Sequence, residues 1–85
     1  MLNHPEMGRE LKPSELLPFV GFVVIVEREG ANVGLTAWVQ YVDDECVAFK
    51  MGVPGITLWL KRNEDDTLAD DLGTHIKAYE FLGEV

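Results

Sequence analysis

Few side chains in this sequence have the chemistry to make or break a covalent bond, and their spacing limits what they can do. Cys46 is the sole cysteine and Ser14 the sole serine, and the imidazoles are His4 and His75. A catalytic thiol needs its thiolate stabilised by a positioned base or cation. Cys46 instead follows Asp43-Asp44-Glu45, whose charge holds the thiol protonated, so it reads as a structural cysteine. Two histidines and one cysteine cannot supply the four ligands of a zinc site. The acidic groups 43–45, 64–66 and 70–71 lack the alternating Asp-x-Asp-x-Asp-Gly spacing that wraps a calcium ion, and read as solvated loops. Ser14 is placed to cap a short helical turn at 15–17, which Pro18 would stop. Glycines 30, 34, 52, 55 and 73 punctuate turns and form no phosphate-cradling motif. These residues assemble no catalytic, cofactor or metal site within one chain, and a non-enzymatic interaction module is the leading expectation; the alternative is a small-molecule-binding protein or enzyme whose site forms at an oligomer interface.

The residues that stand out are large and apolar. Trp38, Tyr41 and Trp59 belong to segments that read as strands, and successive strand side chains point to opposite faces. In Gly34–Val42, Leu35, Ala37, Val39 and Tyr41 share one face, while Thr36, Trp38 and Gln40 share the other. In 56–62, Ile56, Leu58 and Leu60 read as inward and Thr57, Trp59 and Lys61 as outward. Both tryptophans therefore fall on the face opposite the leucine row of their own strand. Cys46–Met51 places Val47, Phe49 and Met51 together.

The run 19–28 is unusual. Val23 and Ile25 point one way while Phe22, Val24 and Val26 point the other, so the strand is apolar on both faces. An antiparallel strand with one wet face alternates apolar and polar residues. A second layer of this chain, a second copy or a partner must cover the extra surface. Phe22, Val24, Val26, Trp38, Tyr41 and Trp59 are accordingly the candidate interface residues, and the expected partner is another copy of the chain or another protein.

The elements that position these residues read as five short strands, 19–28, 34–42, 46–51, 56–62 and 75–82, joined by tight turns. In the last of them Ile76, Ala78 and Leu82 compete with Tyr79 and Phe81 for the core. The stretch 63–73 reads as a loop, with room for one helical turn at 67–72. Residues 1–13, polar and broken by Pro5, Gly8 and Pro13, read as a flexible arm preceding a single domain over 14–85. The fold class is mostly β: a small five-stranded antiparallel SH3-like barrel with a short N-terminal helical turn. An OB-like barrel and a twisted sheet with one packed helix are the alternatives.

The order of features from Pro13 to Met51 resembles the Sm-like family of small barrels. A short helical turn (Leu16-Leu17) is followed by a strand (23–27), a glycine turn (Gly30), a long second strand (34–42) and an acidic turn (Asp43-Asp44). The resemblance implies the barrel fold and ring-like association. It does not bring RNA binding with it. Where the family's loop has Asp and then Met-Asn, Asp44 is followed by Glu45-Cys46-Val47, and Phe81-Leu82-Gly83 lacks the family's arginine.

Bulk properties agree. The 85 residues suffice for one core. A net charge of −8 disfavours nucleic acid, whose phosphates require clustered Lys and Arg. The apolar run 19–26 is far short of the about 20 residues that span a membrane, and 1–18 has no signal-like apolar run. With its lone thiol, the chain reads as an acidic cytoplasmic protein.

Overall fold

The computed structural model describes residues 5–31, 33–52 and 55–84, and over these the protein is mostly β, with no α-helix. Seven strands form one antiparallel sheet: β1 (Pro5–Leu11), β2 (Val23–Arg28), β3 (Gly34–Val42), β4 (Cys46–Met51), β5 (Thr57–Arg62), β6 (Leu68–Ala69) and β7 (His75–Glu84). The strand order is β1-β7-β2-β3-β4-β5-β6, and β6 also pairs with β7. The pairing from β2 through β7 therefore runs in a circuit, and β1 pairs with the later part of β7 along the edge that β6 uses at its start. The closing contacts are short: β6 pairs with β5 through Lys61 and Arg62 and with β7 through His75 and Ile76.

The inner side holds the core. Val24 and Val26 of β2, Ala37 and Val39 of β3, Val47, Phe49 and Met51 of β4, Leu60 of β5, Leu68 of β6, and Ile76 and Ala78 of β7 pack together. Phe49 is the largest fully buried side chain, and burying it contributes about 1.5–3 kcal/mol. β3 and β4 begin and end where their alternation predicts, the inward row of β4 is Val47, Phe49 and Met51 as expected, and in β5 Leu58 and Leu60 face the core.

One end of the circuit is plugged. Two 3-10 turns, Pro13–Glu15 and Leu17–Phe19, bracket Leu16, which is fully buried in the core cluster. Ser14 does not cap a helix. It lies inside the first turn, where its backbone N–H and Oγ donate to the two carboxylate oxygens of Asp66 (3.0 and 2.7 Å), pinning the plug to the β5–β6 turn. Lys12 precedes this turn, and its N–H donates to Glu15 Oε1 at 2.9 Å. That bond, followed by the ion pair with Arg9 at 2.8 Å, holds the Glu15 carboxyl below its ordinary range.

Several expectations are corrected. Residues 5–11, read as part of an arm, form β1, and Leu11 is buried; residues 1–4 lie outside the described range. Leu68–Ala69, read as loop or helical turn, is β6, which closes the circuit. Seven strands replace five. Ile56 lies just before β5 and is exposed rather than inward. In β7, Ile76 and Ala78 take the core, Tyr79 and Phe81 are half-buried, and Leu82 is exposed.

β1 explains the doubly apolar second strand. Ile25 points outward yet is fully buried. A Cβ at Gly34 would lie 2.6 Å from Ile25 Cγ2 and 3.4 Å from Met7 Sδ, so Met7 reaches the same spot on the outer surface. The cover required by the sequence is, at Ile25, another layer of this chain. Any side chain at Gly34 would displace that packing.

Candidate functional site

The aromatic residues are set by β3, β4 and β5. Register pairs Trp38 with Lys50, and Lys50 with Thr57; in the next row Tyr41 pairs with Ala48, and Ala48 with Trp59. All these side chains are on the outer side, opposite the Val39, Phe49 and Leu60 core. Ala48 is fully buried because the rings of its two neighbours close over it. The Tyr41 and Trp59 centroids are 5.9 Å apart with planes tilted by 54°. That arrangement contributes about 0.5–1.5 kcal/mol beyond the buried area.

Tyr41 reaches this face through a bulge. Between Val39 and Tyr41 the register slips, leaving Gln40 as the extra residue. Alternation alone placed Tyr41 inward with Val39; the inserted residue turns it out beside Trp59, and Val42 takes the inward position. Gln40 then accepts a hydrogen bond from the Thr57 hydroxyl at 2.9 Å, bridging the two rows.

The Tyr41 phenol is held in place by the β3–β4 turn. Its hydroxyl donates to Asp43 Oδ2 at 2.8 Å, while the backbone N–H groups of Glu45 and Cys46 donate to Oδ1, each at 2.8 Å. These backbone bonds, and then the Tyr41 bond, hold the Asp43 carboxyl down at about 2. The same hydroxyl bond raises the Tyr41 pKa. A carboxyl depressed in the folded state stabilises the fold above its unfolded pKa, and that contribution is lost as the pH falls through the folded value. The stability difference between wild type and Asp43→Asn should therefore shrink between about pH 4 and about pH 2. Thermal melts across that range check this; a difference independent of pH would mean that the carboxylate is not the acceptor.

The other candidates divide. Trp38 is 43 % exposed and lies over Gly52, one row away from the Tyr41–Trp59 pair. Phe22, just before β2, is 63 % exposed. Val24 and Val26 are a correction: both side chains face inward into the core cluster rather than onto an outer face, Val24 fully buried and Val26 reached only at the floor of a cavity described below. Cys46 and His75 are on β4 and β7, which do not pair with each other. The Cys46 thiol is raised above its ordinary pKa, first by burial and then by Asp43, and so is further from a thiolate. Among the described residues no group of three or more His, Cys, Asp or Glu side chains is placed to hold a metal ion, and no helix is long and apolar enough to cross a membrane.

Sequence reading missed a second apolar feature, at the end of the circuit opposite the Leu16 plug. There the ends of β2 and β4 and the starts of β3, β5 and β7 surround an open cavity of about 360 Å³. Val26, Met51 and Ile76 form its floor, and Val33 and Leu35, 61 % and 55 % exposed, stand at its rim. Leu35 shares the inward parity of Ala37, but at the strand's first turn of the pleat inward means into this mouth. The signal was an apolar residue on each side of the 29–34 turn, where polar residues are the rule. Comparison with protein-family models, curated proteins and solved structures returned no match.

Proposed function

We propose that this protein is a small SH3-like barrel acting as a non-enzymatic interaction module that associates with itself through the outer face of β3–β5. The observation that carries this reading is the exposure of Trp59, Tyr41 and Trp38 on one face, at 56, 45 and 43 %. Trp and Tyr are the residues most enriched among binding hot spots, and a contiguous aromatic face is a poor use of surface in a free monomer. The closed pairing circuit and the plugged end support the barrel. The pinned Tyr41 presents a surface that needs little ordering on contact. Net charge disfavours nucleic acid as the occupant, and the single half-buried thiol suits a reducing cytoplasm.

Trp59→Ala should leave a folded monomer and raise the self-dissociation constant by about tenfold or more, the effect of truncating one hot-spot tryptophan. Sedimentation velocity over a concentration series, with circular dichroism as the folding control, reads this. A wild type that stays monomeric at millimolar concentration would sink the proposal.

A further inference from the structure

The aromatic face and the open cavity differ in charge as well as shape. The outward positions of β4 and β5 are Cys46, Ala48, Lys50, Thr57, Trp59 and Lys61, which include two lysines and no acid, while the Asp43 carboxylate sits on the Tyr41 hydroxyl at the edge of the face. In a chain of net charge −8 this is an unusual concentration of cations. Neither lysine forms an ion pair among the described residues. The cavity mouth has the opposite balance. Glu27 and Asp70 line it, against the single cation Arg28. Arg28 is paired with one of these acids, its Nη2 3.9 Å from Asp70 Oδ2, which leaves Glu27 as the acid of the lining with no ion pair among the described residues.

We infer that the occupant of the cavity is the aromatic face of a second copy of this chain, with Trp59 entering the apolar cup and Lys50 and Lys61 meeting its acidic rim. The inference rests on the reading that the aromatic face is the associating surface, and it adds what that face contacts. A cavity of about 360 Å³ with an apolar floor is within the size range that accepts one large side chain or small ligand. Two aromatic faces set against each other would instead bring four lysines together, and like charges at an interface oppose it. The contact uses different surfaces on the two copies, so it is heterologous: each copy retains one free face and one free cup. Such contacts propagate into rings or open chains.

The test is complementation. Leu35→Lys puts a cation on the cup's rim at an exposed position, and Val33→Lys does the same independently. Trp59→Ala removes the anchor and leaves the cup. Each variant alone should sediment as a folded monomer at concentrations where the wild type is associated. An equimolar mixture of Trp59→Ala and Leu35→Lys should form a dimer and nothing larger, because only one productive face–cup pair exists in the mixture. Wild-type association should weaken when salt is raised from about 0.01 to about 0.15 M, which shortens the screening length from about 30 to about 8 Å. If both rim variants associate like wild type while Trp59→Ala does not, the cup is not the partner surface and the aromatic face stands alone. Monomeric single variants whose mixture is also monomeric would overturn the face–cup pairing. Wild-type association by Trp59→Ala would sink both readings.

Discussion

Phe49→Ala should destabilise the protein by about 3–5 kcal/mol, the usual loss when a buried phenylalanine is cut to a methyl group. A domain of this length has roughly 4–13 kcal/mol in total, so much of the population should be unfolded at ambient temperature if the margin is at the lower end. The argument depends on where Phe49 sits. It is fully buried on the inner side of β4, opposite Val39 on one neighbour and Leu58 on the other. The ring fills the middle of the circuit, where the strands on every side are held by hydrogen bonds and cannot collapse into the gap. Leu82→Ala, at a side chain 59 % exposed on β7, should change stability by no more than about 0.5 kcal/mol. Urea unfolding followed by circular dichroism measures both. Equal effects would mean that the inner row of β4 is wrongly placed.

Leu16→Ala should cost about 2–5 kcal/mol although Leu16 belongs to no strand. Its side chain closes the end of the circuit, packed in the core cluster and bracketed by the two 3-10 turns. Leu17, the next residue, is 64 % exposed, and Leu17→Ala should be nearly silent. The pair isolates the plug, since the two substitutions remove the same atoms from adjacent positions. Matched urea titrations would reveal a plug that packs more loosely than described, as two losses of similar size.

The legible part of the fold was the part governed by local alternation. β3 and β4 are short apolar-rich runs joined by the acidic turn Asp43-Asp44-Glu45 and bounded by Gly34 and Gly52, and nothing remote changes where they start or stop. β1 was illegible because its residues, PEMGREL, contain Pro, Gly and three charges. They are extended because β7 pairs with them and Met7 covers Ile25, both consequences of contacts some seventy residues away in sequence for the first and about eighteen for the second. β6 escaped for the same reason: two residues have no period, and only the pairings with β5 and β7 define them.

The candidate site was half legible. Parity correctly turned Trp38 and Trp59 away from the leucine rows. It misplaced Tyr41, because a one-residue bulge at Gln40 reverses every side chain beyond it until the strand ends. The apolar second face of β2 was a real signal, but it was partly answered within the chain by β1, and its inward members, Val24 and Val26, are core. The cup left only one trace, the apolar Val33 and Leu35 beside a turn, since it is assembled from the ends of five strands whose sequence neighbours are turns.

β7 is made after every strand it pairs with, yet it borders β1, β2 and β6. On a growing chain, β2 to β5 can form a meander of neighbouring hairpins from local contacts alone. β1 has no partner until β7 appears, and neither β2 nor β6 has its second one. The inner apolar row is thus open along a whole seam throughout synthesis of the preceding strands, and non-local closures of this kind are the slow ones. The ten residues of β7 convert an exposed meander into a closed core when they emerge, so the interval of greatest aggregation risk is set by translation rather than by the strength of any one contact.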